Sequence, residues 1–81
     1  MKLKKSIAIS ENGFIFNASL GDSFTTNPIG ARILQLIKEG KDELEIQGEL
    51  LKEFQVDSAT CEKDLYDFIK MLRTHNLLET D

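Results

Sequence analysis

The sequence predicts an α+β domain: a three-stranded antiparallel sheet followed by three helices. Two observations predict it. The first third alternates apolar and polar residues with period 2 between turn signals, and the remainder carries three capped segments with apolar residues at helical spacing. Ser6-Ile7-Ala8-Ile9-Ser10 reads as the first strand, with Ile7 and Ile9 on one face. Glu11-Asn12-Gly13 supplies the Asn-Gly pair that type I′ hairpins favour, because both central residues need positive φ. Phe14-Ile15-Phe16-Asn17 returns as a second strand of β-formers. Leu20-Gly21-Asp22 makes the next turn, and Ser23-Phe24-Thr25-Thr26 the short third strand. Such a meander is about the minimum that is stable once helices cover one face.

Asn27-Pro28 starts the first helix: Asn accepts from orphan amides, and Pro at the first position has no N–H to lose. Ile29, Ile33, Leu34, Leu36 and Ile37 form its apolar stripe, and Gly40 stops it. The second helix begins at Asp42, with Glu45 placed to complete a capping box. Its buried face holds Ile46, Leu50 and Phe54, with Leu51 on the flank, while Gly48 costs about 1 kcal/mol against Ala. Asp57 or Ser58 caps the third helix, whose inward residues are Cys61, Leu65, Phe68, Ile69 and Leu72. That helix runs down at Arg73-Thr74-His75-Asn76, where Asn takes the left-handed terminal conformation, and Leu77-Leu78 folds back onto the core. The order suits a winged helix-turn-helix-like domain.

Composition excludes more than it assigns. A chain of 81 residues is expected to be one domain, 1–81. One Cys and one His leave no disulfide scaffold, Cys/His zinc site or Cys/His nucleophilic pair. Cys61 lies on an inward stripe, and His75 sits where it favours a helix dipole; Asp64 and Asp67 lack a metal loop or a general-acid pocket. No catalytic residue, metal ligand or cofactor is therefore expected. Asn17-Ala18-Ser19 has the spacing of a glycosylation acceptor without a secretory context. Nothing reads as a signal peptide or as the roughly 20 apolar residues of a membrane span, so a cytoplasmic protein is expected.

Charge is segregated. Residues 1–38 balance at +3 and residues 39–81 at −7, which together give the net −4. An acidic helical half argues against nucleic acid and accommodates a short cationic peptide more readily. The third strand carries neither charge nor Pro from Ser23 to Asn27, although sheet edges are usually protected by both. Its edge can accept an extended peptide as a fourth strand. Two alternatives compete. A winged-helix DNA-binding regulator would use Lys63, Lys70 and Arg73, but Glu62, Asp64 and Asp67 intervene. A carrier protein would use Ser23 of Gly21-Asp22-Ser23-Phe24, but that Ser should open a helix.

From about Ile7 to Leu78 the order and spacing of several segments resemble the PqqD family, small domains also called RiPP recognition elements. The stretch Thr26-Asn27-Pro28-Ile29-Gly30-Ala31-Arg32-Ile33-Leu34-Gln35-Leu36-Ile37 is similar to the family's Leu-Asn-x-x-Ala-x-x-Ile-Leu, with Thr26 where Leu is usual. Gly40-Lys41, the run Ile46…Leu50…Phe54-Gln55-Val56-Asp57, Asp64 before Phe68-Ile69-x-x-Leu72, and Asn76-Leu77-Leu78 follow in order. The resemblance implies a winged helix-turn-helix fold and a non-catalytic role. Such a domain captures the leader of a ribosomally made precursor and presents it to a modifying enzyme, a radical SAM protein in pyrroloquinoline quinone synthesis. Its implied partners are thus the leader peptide and that enzyme, with neither nucleic acid nor membrane. It also implies that the leader pairs with the third strand, here Ser23, Phe24, Thr25 and Thr26, and lies against the third helix. On the outward flank of that helix, which includes Lys63, Asp64, Tyr66, Asp67, Lys70 and Met71, the expected groove residues are Asp64, Asp67 and Met71.

Overall fold

The computed structural model describes residues 1–10, 13–17 and 21–79, with Asp22 described in its backbone alone. Strands β1 (Ile7–Ile9), β2 (Phe14–Asn17) and β3 (Asp22–Thr25) precede helices α1 (Pro28–Lys38), α2 (Glu43–Glu53) and α3 (Ser58–Thr74). The sheet is antiparallel in the order β1-β2-β3, so β3 is an edge, and the architecture is compatible with the expected winged helix-turn-helix. Strand β3 starts one residue earlier than its composition suggests. Of the two expected turns, Glu11, Asn12 and Leu20 lie outside the described residues, but Gly13 has the positive φ, 82°, that the first turn needs.

Register assigns the faces. Ile9, Ile15 and Phe24 form one inward row, and Ala8, Phe16 and Ser23 an outward one. Phe14 and Phe16 face out, 50% and 44% exposed, because β2 is apolar at alternate positions on both faces. Asn17 is inward and buried at 3%, within reach of Ser6. A side chain so enclosed is no acceptor for a glycan, and the Asn17-Ala18-Ser19 spacing is coincidental.

The helices form where their caps are. Asn27 Oδ1 accepts from Gly30 N–H at 2.8 Å, and the Asp42–Glu45 box is closed in both directions. At the far end of α1, Gly40 sits at φ 89°, while its N–H and that of Lys41 reach back to Ile37 and Leu36. The same paired closure ends α3: Asn76 at φ 58° donates to Arg73, and Leu77 donates to Leu72. This closure turns the chain so that Leu77 and Leu78 are buried, as their hydrophobicity requires, and Leu78 bridges to Leu3.

The core gathers Ile7 and Ile15 from the sheet, Ile33, Leu34, Leu36 and Ile37 from α1, Ile46 and Leu50 from α2, and Cys61, Leu65, Ile69 and Leu72 from α3. Phe54 and Phe68, expected inside, are only half-buried: Phe54 caps α2, and Phe68 faces a cleft. Arg32 ties α1 to α2 through Glu53 at 2.9 Å, a part-exposed pair worth under about 1 kcal/mol.

Gly48 has no structural reason to be glycine. A Cβ there would meet nothing within 4 Å, inside a helix that gains from Ala. Gly48→Ala is expected to raise stability by about 0.5–1 kcal/mol, seen as a higher Tm in a circular-dichroism melt. A second expectation concerns acid. The Asp57 carboxylate is held below the ordinary range by hydrogen bonds from the Thr60 amide and hydroxyl. Its folded pKa is the lower one, so its contribution is complete above the unfolded value and lost as pH falls through the folded one. Melts between pH 5 and 2 should therefore fall less steeply for Asp57→Ala than for the parent.

Candidate functional site

The open edge of β3 has a direction that hydrogen bonding dictates. Ser10 N–H donates to the Phe14 carbonyl, and Thr26 N–H to the Gly13 carbonyl, each at 2.8 Å. Bonding direction alternates residue by residue along an antiparallel pair. Phe14 and Phe16 thus bond toward β1, while Phe24 and Thr26 bond toward β2. Ser23 and Thr25 are left with N–H and C=O aimed away from the sheet. Among the expected pairing residues, these two carry the outward groups, and Thr26 lies just past the strand with its N–H already used.

Helix α3 ends beside β3. Phe24 points inward and meets His75 at the end of α3, ring centroids 5.6 Å apart and tilted by 51°. From there Met71, Phe68, Asp67 and Asp64 form a stripe at three- and four-residue spacing, which places them on one face of the helix. A cleft of about 370 Å³ lies between this stripe and the start of α1, lined on the α1 side by Asn27, Ile29, Gly30 and Ile33. Asp64, Asp67 and Met71 are brought together here. Lys63 and Tyr66, from the same outward flank, instead line a larger cleft of about 480 Å³ against α2, with Leu44 81% exposed at its rim. The larger cleft is lined by α2 and α3 alone; the smaller one takes in Asn27, two residues beyond the end of β3.

Gly30 was invisible as a site residue. It is buried, and a Cβ built on it would collide with Thr26 Oγ1 and stand 2.9 Å from Phe68 Cε1. The absence of a side chain lets Thr26 and Phe68 close over the start of α1, and Phe68 lines the cleft there. Its only sequence signal was a poor helix former in the first turn.

Reactive groups do not converge on this surface. Burial pushes the Cys61 thiol up, and the nearby Asp64 charge adds to it, so the thiol stays protonated at neutral pH. Among the described residues no three His, Cys, Asp or Glu side chains are placed to hold a metal. Ser23 lies inside a strand, not at a helix start, which is the wrong setting for a carrier serine. Lys63, Lys70 and Arg73 are exposed but interrupted by exposed Glu62, Asp64 and Asp67, so no basic stripe forms.

The described residues thus combine an open strand edge at Ser23 and Thr25 with a cleft between α1 and α3. Residues 12–78 match the family described as Coenzyme PQQ synthesis protein D (PqqD), and the chain belongs to that family. Its structure is similar to that of TbiB1 in complex with the TbiA(beta) leader peptide: 32% identity, TM-score 0.88, covering 100% of this chain and 98% of that one. It also shares its fold with lasso peptide synthetase B1 complexed with the leader peptide, at 17% identity and TM-score 0.83, covering 98% and 96%. No curated protein matches the chain.

Gly30→Ala tests the close packing. Overpacking costs about 1–3 kcal/mol and the helix recovers about 1, so a net loss of up to about 2 kcal/mol is expected in denaturant unfolding. The sign is opposite to that for the same substitution at Gly48, where space is open.

Proposed function

We propose that this protein is a non-catalytic adaptor that captures the leader of a ribosomally made precursor peptide and presents it to a modifying enzyme. The observation that carries the reading is the outward N–H and C=O groups of Ser23 and Thr25 beside the α3 stripe. An extended segment bonds to that edge as a fourth strand, and its inward side chains lie over Phe24, Phe68 and Met71 toward Asp64 and Asp67. Membership of the PqqD family supports the role, as do two similar structures that are leader-peptide complexes. The enzyme served is a radical SAM protein or another peptide-modifying catalyst, and the product is pyrroloquinoline quinone or a related peptide-derived compound. The chain works in the cytoplasm, where precursors are translated; no helix among its described residues is long and apolar enough to cross a membrane.

Backbone direction gives a sharp test. Proline at position 25 removes an N–H that faces the open edge and spares the bonds to β2, which edge strands tolerate. Thr25→Pro is expected to weaken a cognate leader at least about tenfold, some 1.4 kcal/mol, with circular dichroism unchanged. Titration of amide NMR shifts with candidate leaders reads the affinity. Equal affinity in the variant would sink strand addition.

A further inference from the structure

We infer that the α1–α3 cleft is a subsite for one lysine or arginine side chain of the bound leader, and that this subsite selects among precursors. The inference rests on the leader-strand reading above and adds the chemistry of the segment bound. Its first support is the shape and lining of the cleft. The floor is apolar, made by Ile29, Phe68 and Met71 with Phe68 packed onto Gly30, while Asp64 and Asp67 stand exposed at the rim. A long aliphatic stem ending in a cation fits that combination: the stem covers apolar surface and the head reaches a carboxylate. A neutral apolar side chain would fill the floor but leave both carboxylates at the rim without a counter-charge. Among the described residues neither Asp64 nor Asp67 has a basic side chain within ion-pair distance, although Lys63 and Lys70 share the helix.

Spacing is the second support. Inward side chains of an added strand recur about every 6.7 Å, and four residues of helix rise about 6 Å. A residue lying over Met71 therefore places its inward neighbour, two positions on, beside Asp67. The bound segment is read as an apolar residue and then, two or four positions away, a basic one. Strand pairing through Ser23 and Thr25 is indifferent to side chains, so discrimination between leaders falls to this cleft.

The experiment is selection of a displayed library of random 12-residue peptides on the intact protein, repeated on Asp64→Asn/Asp67→Asn, Asp64→Lys/Asp67→Lys and Thr25→Pro, each checked by its melting curve. On the parent, Lys or Arg two or four positions from an apolar residue should be enriched about fivefold over the input, the size of a favourable ion pair. The Asn pair should lose that enrichment, and the Lys pair should replace it with Asp or Glu. Basic enrichment that persists in the Asn pair would overturn the subsite. So would peptides that depend on Thr25 but show no basic preference, an outcome that leaves strand addition standing. Selected peptides unaffected by Thr25→Pro would overturn strand addition and the subsite together. Asp→Asn variants that melt lower yet keep the basic preference would assign the two carboxylates to the start of α1, whose first turn has no acidic residue of its own.

Discussion

Six of the eleven residues of α1 are buried, and the helix packs against both α2 and β1. Ile33, Leu34, Leu36 and Ile37 are at most 2% exposed and take contacts from the sheet, α2 and α3 at once. A small domain has few such residues, so the helix that holds them is constrained at both ends. Asn27 and Pro28 fix where it starts, and the paired closure at Gly40 and Lys41 fixes where it stops. The start is the part with functional weight. It sets Ile29 and Gly30 opposite Phe68 and Met71, so the packing that stabilises the core also creates the cleft.

The sheet order β1-β2-β3 makes β3 an edge, while β1, at the other side of the sheet, packs against α1. The last strand is left with outward amides at Ser23 and Thr25, while its one large inward side chain, Phe24, is tied to the end of α3 through His75. An edge fixed from the inside and open on the outside is preorganised for an added strand, because little of the receptor must be ordered on binding. Such a site needs no unusual pKa or nucleophile. The one cysteine is buried with its thiol pushed up, consistent with a part in packing.

What was legible in the sequence was local. Asn27, Asp42 with Glu45, Asp57 and Asn76 each announce a helix end through chemistry within four residues, and each does in the fold what its type dictates. Helical spacing puts Asp64, Asp67 and Met71 on one face of α3, while their choice as groove residues came from the family resemblance. Legibility failed where the cause was tertiary. Asn17 is polar yet buried, since β2 register turns it inward, and Phe14 and Phe16 face out because alternation alone cannot say which of two apolar faces meets the core. Thr26 reads as strand by composition, but its amide is spent on Gly13, so the outward backbone groups are those of Ser23 and Thr25. Gly30 needed coordinates, because only Thr26 and Phe68 across the cleft make a Cβ impossible there without movement.

Separating the two halves of the chain by charge has a mechanical consequence. The sheet edge carries no charge at Ser23, Phe24 or Thr25, and in the proposed reading it bonds a partner through backbone alone. Backbone bonds are nearly the same for every peptide, so the edge supplies affinity with little choice. Choice must come from side chains, and those within reach are on α3, in the half that carries the −7 balance. A leader with acidic residues at the inward positions would meet Asp64 and Asp67 as like charges, a cost that excludes it more effectively than any added contact would favour another. On the proposed reading, attraction at the edge and repulsion at the helix together distinguish one extended peptide from another.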